Sequence, residues 1–134
     1  IKRVIMPSIT DLGGQVFWGC ENLEYVDMRG VTYISYANKD GDGNAKRPDG
    51  SVESNNNFRF CNNLATVIVG NGYSSETGQF NSDRIHGVVN LYVYGTSTVT
   101  THPDDKILTG NVYYYSDTKK AGAWHFANGA ATLW

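Results

Sequence analysis

The segment Phe17-Trp-Gly-Cys-Glu-Asn-Leu-Glu-Tyr-Val-Asp-Met28 returns 41 residues later, with Phe17, Cys20, Leu23, Val26 and Met28 reappearing as Phe58, Cys61, Leu64, Val67 and Val69. The shared pattern is F-x-x-C-x-N-L-x-x-V-x-Φ, where Φ is apolar. So many fixed positions at a single offset mean an internal repeat, and a repeat decides the architecture before any local propensity does. A unit of this kind cannot bury its apolar face alone. It has to stack on its neighbours.

The period is shorter than 41. Ile1, Val4 and Met6 occupy the positions of Leu23, Val26 and Met28, and Pro7-Ser-Ile9-Thr-Asp-Leu12 parallels Arg29-Gly-Val31-Thr-Tyr-Ile34, both at an offset of 22 residues. That is a leucine-rich-repeat period: one short parallel strand per turn of a right-handed coil, with irregular backbone on the other side. Roughly 19 extra residues before Phe58 then have to be an excursion, and Tyr36–Asn57, polar and rich in Asn, Asp and Gly, reads as that inserted loop. The series resumes through Phe58 and Phe80 to Val88, Leu91 and Val93, where the Phe-x-x-Cys signature lapses.

The last stretch changes character. Asn111-Val-Tyr-Tyr-Tyr115, Ala123-Trp-His-Phe-Ala127 and Ala130-Ala-Thr-Leu-Trp134 are strand-like, and Asn128-Gly129 between the last two is a hairpin signal. The expected fold is therefore an α/β-type or mainly β solenoid. About four repeats fill residues 1–110 with an insertion at 36–57, and a β-rich cap at 111–134 places Trp124 and Trp134 over the last repeat. The open end at Ile1 predicts further repeats before it in the parent chain. The chain also opens with neither Met nor an apolar leader, so it reads as a fragment or mature segment.

Charge narrows the partners. The chain has 11 basic and 13 acidic residues, for a net charge of -2, and no basic block. Nucleic acid and anionic membranes attract clustered positive charge, so neither is expected as a partner. The longest apolar runs span only a few residues, too short for membrane insertion.

Chemistry-bearing residues are sparse. Cys20 and Cys61 fall at equivalent positions of stacked repeats, roughly 4.8 Å apart. That spacing suits either a ladder of buried thiols or a disulfide. Asn38, Asp40, Asp42, Asn44 and Asp49 place oxygen donors at alternate positions around Gly43, which reads either as a calcium loop or as a solvated turn. Calcium is the one cofactor the sequence raises. His86, His102 and His125 lie in unrelated contexts, no carboxylate pair has a base beside it, and no phosphate-binding Gly-rich loop occurs. The expected protein is not an enzyme.

A recognition surface is expected on the strands instead. With Val26/Met28, Val67/Val69 and Leu91/Val93 inward, alternation turns Arg3/Ile5, Tyr25/Asp27, Thr66/Ile68 and Tyr92/Tyr94 outward. Arg3, Tyr25, Asp27, Thr66, Tyr92 and Tyr94 are the candidate ligand-binding residues, because Tyr offers amphipathic contact area at little entropic cost.

F-x-x-C-x-N-L-x-x-V, preceded by P-S-I-T-x-L, resembles the BspA-type leucine-rich repeats of bacterial and some protozoan surface proteins. The tail, Val112-Tyr-Tyr-Tyr-Ser-Asp-Thr with Trp124-His-Phe and a final Trp134, resembles the closing segment after such repeats in large secreted proteins of gut bacteria. The resemblance implies an extracellular or cell-surface bacterial binding protein, sometimes an adhesin, without enzymatic activity. On that footing the expected function is recognition of host protein or glycan through the strand face. The competing expectation is a structural spacer or assembly unit of a large surface or fibre protein.

Overall fold

The structure is a computed structural model that describes residues 1–12, 16–34, 49, 57–76, 78–80, 85, 87–105 and 111–134. Among these residues there are strands and turns but no helix. The strands are β1 (Arg3–Ile5), β2 (Tyr25–Asp27), β3 (Tyr33–Ile34), β4 (Thr66–Gly70), β5 (Ser74–Ser75), β6 (Asn90–Tyr94), β7 (Val112–Tyr114), β8 (Trp124–Ala127) and β9 (Ala130–Leu133).

The main layer is a five-stranded sheet in the order β1-β2-β4-β6-β7, parallel throughout. Its register follows the repeat. Val4 pairs with Val26, Val26 with Val67 and Val67 with Leu91, the positions the sequence offsets align. The period-2 pleat then points Val26, Val67, Val69, Leu91 and Val93 to one side, where all are fully buried. A short parallel pair, β3 with β5, lies beyond the ends of β2 and β4.

The turns before the strands repeat as well. Cys20 N–H donates to Phe17 O and Cys61 N–H to Phe58 O, both at 3.1 Å, and Leu23 and Leu64 close onto Cys20 and Cys61 in the same way. Phe17, Phe58 and Phe80 stack as a column, with centroids 5.4 and 5.3 Å apart and planes within 20°. Beside it runs a column of buried polar side chains. Asn57 Oδ1 accepts from Val16 N–H at 2.9 Å, Gln79 Oε1 from Asn57 N–H at 3.1 Å, and Asp105 Oδ1 from Phe80 N–H at 2.8 Å. These side chains take up backbone donors that the turns leave over, and a buried donor without a partner would cost about 1–3 kcal/mol.

Two expectations need correcting. Val112–Tyr114 does not belong to the cap but forms the fifth strand of the main sheet, because Val112, Tyr113 and Tyr114 continue the Leu91, Tyr92, Val93 register. Cys20 and Cys61 are not an equivalent buried pair either. Both are free thiols, and Cys61 is buried, its thiol donating to Phe17 O at 3.0 Å, whereas Cys20 is exposed. Repeats cover Cys61, while Cys20 lines an open hollow with Ile1 and Glu21 at the outer end of the stack.

The cap is the antiparallel hairpin β8–β9. Asn128 and Gly129 carry φ of 53° and 76°, two successive left-handed residues that make a tight two-residue turn matching strand twist. The side chain of Asn tolerates that region, and Gly has no Cβ to oppose it.

Candidate functional site

Pairing sorts the outward residues into rows across the sheet: Arg3, Tyr25, Thr66 and Asn90; then Ile5, Asp27, Ile68, Tyr92 and Tyr113. Tyr94 lies one row further, opposite Gly70. The sequence-predicted residues Arg3, Tyr25, Asp27, Thr66, Tyr92 and Tyr94 are thus brought onto one face.

That face is not open. Tyr25 is 8% exposed, Asp27 1%, Ile68 0% and Tyr92 7%, and Trp124 of the hairpin is fully buried against them. The indole meets Tyr92 edge-on at 5.5 Å and Tyr115 at 5.2 Å, with Phe126 at 5.0 Å on its own strand. The expected free recognition surface is therefore the seat of the chain's own cap. The physical reason is area: a row of Tyr and Ile exposed on a sheet is apolar surface that Trp124 and Phe126 remove from water, at about 25 cal/mol per Å². Trp124 does lie on the last expected repeat, against Tyr92 and Val93, but it does so across the outward face of the strands, in one cluster with Tyr25 and Ile68. Trp134 lies further out, stacked on His125 at 3.5 Å and donating its indole N–H to Ser116 O.

Polar contacts fix the hairpin at its edges. Arg3 lays its guanidinium 4.2 Å from the Tyr25 ring centre and donates through Nη2 to Gly129 O at the hairpin tip, 2.9 Å away. Tyr25 Oη accepts from Ala131 N–H at 3.2 Å. At the other flank Arg29 forms a fork with Asp27, its Nε 3.1 and 3.2 Å from the two carboxylate oxygens and its Nη2 also on Oδ2. The same guanidinium lies 4.2 Å from the Phe126 ring centre. Burial and the Arg29 fork explain one another here: the Asp27 carboxylate is out of water, and a planar guanidinium from the following turn balances it.

Burial, more than any neighbouring charge, raises the phenol pKa values of Tyr25 and Tyr92. Both stay neutral through the physiological range, Tyr25 as a packing and hydrogen-bonding group and Tyr92 as a packing group. Thr66 is half-buried, Tyr94 is 40% exposed and Arg3 is exposed, so the cap leaves the margins of the face accessible.

The proposed calcium residues Asn38, Asp40, Asp42 and Asn44 lie outside the described residues, and Asp49 is exposed. Among the described residues no group of three or more His, Cys, Asp or Glu is placed to hold a metal. Nor is any helix among them long and apolar enough to cross a membrane. His102 lies in a turn, with Nδ1 accepting from Asp104 N–H at 3.1 Å.

Sequence reasoning missed Arg29. The usable signal was Asp27-Met-Arg29, an acid at the end of a strand and a base two residues on in the following turn, close enough for their side chains to pair. It also took Trp124 for an end cap, because alternation tells which way a side chain points but not what lies above it. No family model, curated protein or solved structure matches the chain.

Proposed function

We propose that this chain is a non-enzymatic structural module, a leucine-rich-repeat-like stack of strands closed by its own hairpin. One observation carries the reading. Trp124 is buried on the strand face, where a ligand of the stack would otherwise sit. The 22-residue offsets and the in-register parallel pairing support a short solenoid. The outer edge of β1 has no strand partner among the described residues and Ile5 is half exposed there, an open edge that suits pairing within an assembly. With the resemblance to BspA-type repeats, the module belongs outside the cell or on its surface, as a spacer or assembly unit.

Recognition of a host protein or glycan by the strand face is the second reading, favoured by exposed Tyr94 and Arg3 at the rim of the cap. A panel of extracellular-matrix proteins and glycans, applied to the intact chain and to Tyr94→Ala, separates the two. The structural reading expects no binding that depends on Tyr94. A ligand captured by the native chain and lost on Tyr94→Ala, with hydrogen exchange of β2, β4 and β6 unchanged, overturns it.

A further inference from the structure

The turns before β2 and β4 match residue by residue, Phe17-Trp-Gly-Cys20 against Phe58-Arg-Phe-Cys61, and Gly19 N–H donates to Arg59 O at 2.9 Å to join them. The third position of each turn is left-handed, with φ 72° at Gly19 and 64° at Phe60. A Cβ on Gly19 would meet nothing within 4 Å, so the turn uses Gly for its backbone and not for lack of room. Phe60 holds the same backbone with a bulky ring, a combination that is uncommon and that strain alone would remove.

The ring is not kept for the core. Phe60 is 41% exposed and Trp18 40%, and the two meet edge to face at 5.7 Å. Arg59 lies against both rings, its guanidinium 4.7 Å from the Trp18 ring centre and 5.0 Å from that of Phe60. No carboxylate among the described residues pairs with it, and its Nε is buried without a hydrogen-bond partner. The enclosed Nε is out of a ligand's reach, which leaves the fork of the two terminal Nη groups, beside two partly exposed aromatic rings, to take a planar acceptor attached to an apolar surface.

Size selects the ligand. Aromatic side chains bury about 150–250 Å² each, so two that are some 40% exposed offer roughly 120–200 Å². A stable protein interface needs about 800 Å² per partner. We propose that Trp18, Arg59 and Phe60 bind one carboxylate-bearing sugar ring of an acidic glycan. The uronate carboxylate meets the Arg59 fork while the C–H face of the ring covers the aromatics. A uronate carries both features on one rigid ring, whereas an acidic peptide has to order a flexible chain to present them.

The site lies away from the capped face, so it stands or falls separately from the structural reading. The test is calorimetric titration of the intact chain with hexagalacturonate, with cellohexaose and a hexaglutamate peptide as comparators, on the native protein, Arg59→Gln and Phe60→Gly. Phe60→Gly removes the ring at a position where Gly is at ease, so it remains folded where Arg59→Gln could fail. The expected result is binding of hexagalacturonate alone, weakened at least about tenfold in either variant, as expected for loss of a charge-assisted contact. Absence of that binding overturns the proposal. So does binding that survives Phe60→Gly or a folded Arg59→Gln, or hexaglutamate binding as tightly as the glycan.

Discussion

The indole N–H of Trp124 donates to the carbonyl of Val93 across 2.9 Å, joining the hairpin to the sheet's main chain 31 residues earlier. The same carbonyl accepts from Tyr115 N–H at 3.1 Å, so the bond lies where β6 and the end of β7 meet. Apolar packing brings the hairpin onto the strands, and this bond fixes where it stops.

Trp124→Ala is expected to cost about 3–5 kcal/mol, the range for truncating a buried aromatic. Trp124→Phe keeps most of the packing, and Val93 O retains Tyr115, so its loss is nearer 1 kcal/mol for one hydrogen bond. Urea unfolding of the three proteins measures both. Trp124→Ala should also raise dye binding to exposed apolar surface, since Tyr25, Ile68 and Tyr92 lose their cover. Equal costs for the two variants would mean that the ring's packing contributes little.

Asp27 and Arg29 make a testable pair. Asp27 is 1% exposed, so Arg29→Met leaves a carboxylate buried without its partner, a change that typically costs about 3–5 kcal/mol. Asp27→Asn/Arg29→Met removes the orphaned charge and should recover much of that loss. Denaturant midpoints of the two single variants and the double variant give the coupling directly. Strict additivity would show that the fork holds nothing together.

The two thiols should separate by access. Burial pushes the Cys61 thiol up to about 11, and its S–H is engaged with Phe17 O, while Cys20 is exposed. Mild alkylation near pH 8 is expected to modify one cysteine in the native protein and both after unfolding, with peptide mapping placing the first at Cys20. Equal native labelling of both would show that the repeats do not cover Cys61.

The register of the main sheet was legible because one period places Val4, Val26, Val67 and Leu91 on a single line, and only a parallel stack satisfies it. The turn at Asn128-Gly129 was legible because its chemistry is local. The cap's position was not, since Trp124 reaches Tyr92 and Val93 through contacts that no short-range pattern encodes. The polar column was written in the sequence but easy to pass over: Asn57 and Gln79 each stand immediately before a stacked Phe, where an apolar pattern draws attention to the ring. The outward residues were assigned to one shared face, as the strand pairing has them. Their accessibility depended on a layer that alternation cannot see.

Asp105 ends that column and gives it a pH dependence. Burial raises its carboxyl pKa above the usual range, and the N–H groups of Phe80 and Gln79 offset only part of this. A carboxyl with a raised folded-state pKa binds its proton more tightly folded than unfolded. Its contribution therefore favours folding below the ordinary carboxylate pKa and is lost as pH rises through the folded value, opposite to a salt-bridged acid. Asp105→Asn keeps an acceptor for Phe80 and removes the charge. The variant should gain stability relative to the native chain as pH rises from acid to neutral, with the two converging at low pH where Asp105 is already protonated. Thermal unfolding of both proteins across that range reads the difference. A native chain whose advantage over Asp105→Asn grows with pH would mean that the backbone donors outweigh burial and that the carboxylate is the stabilising form.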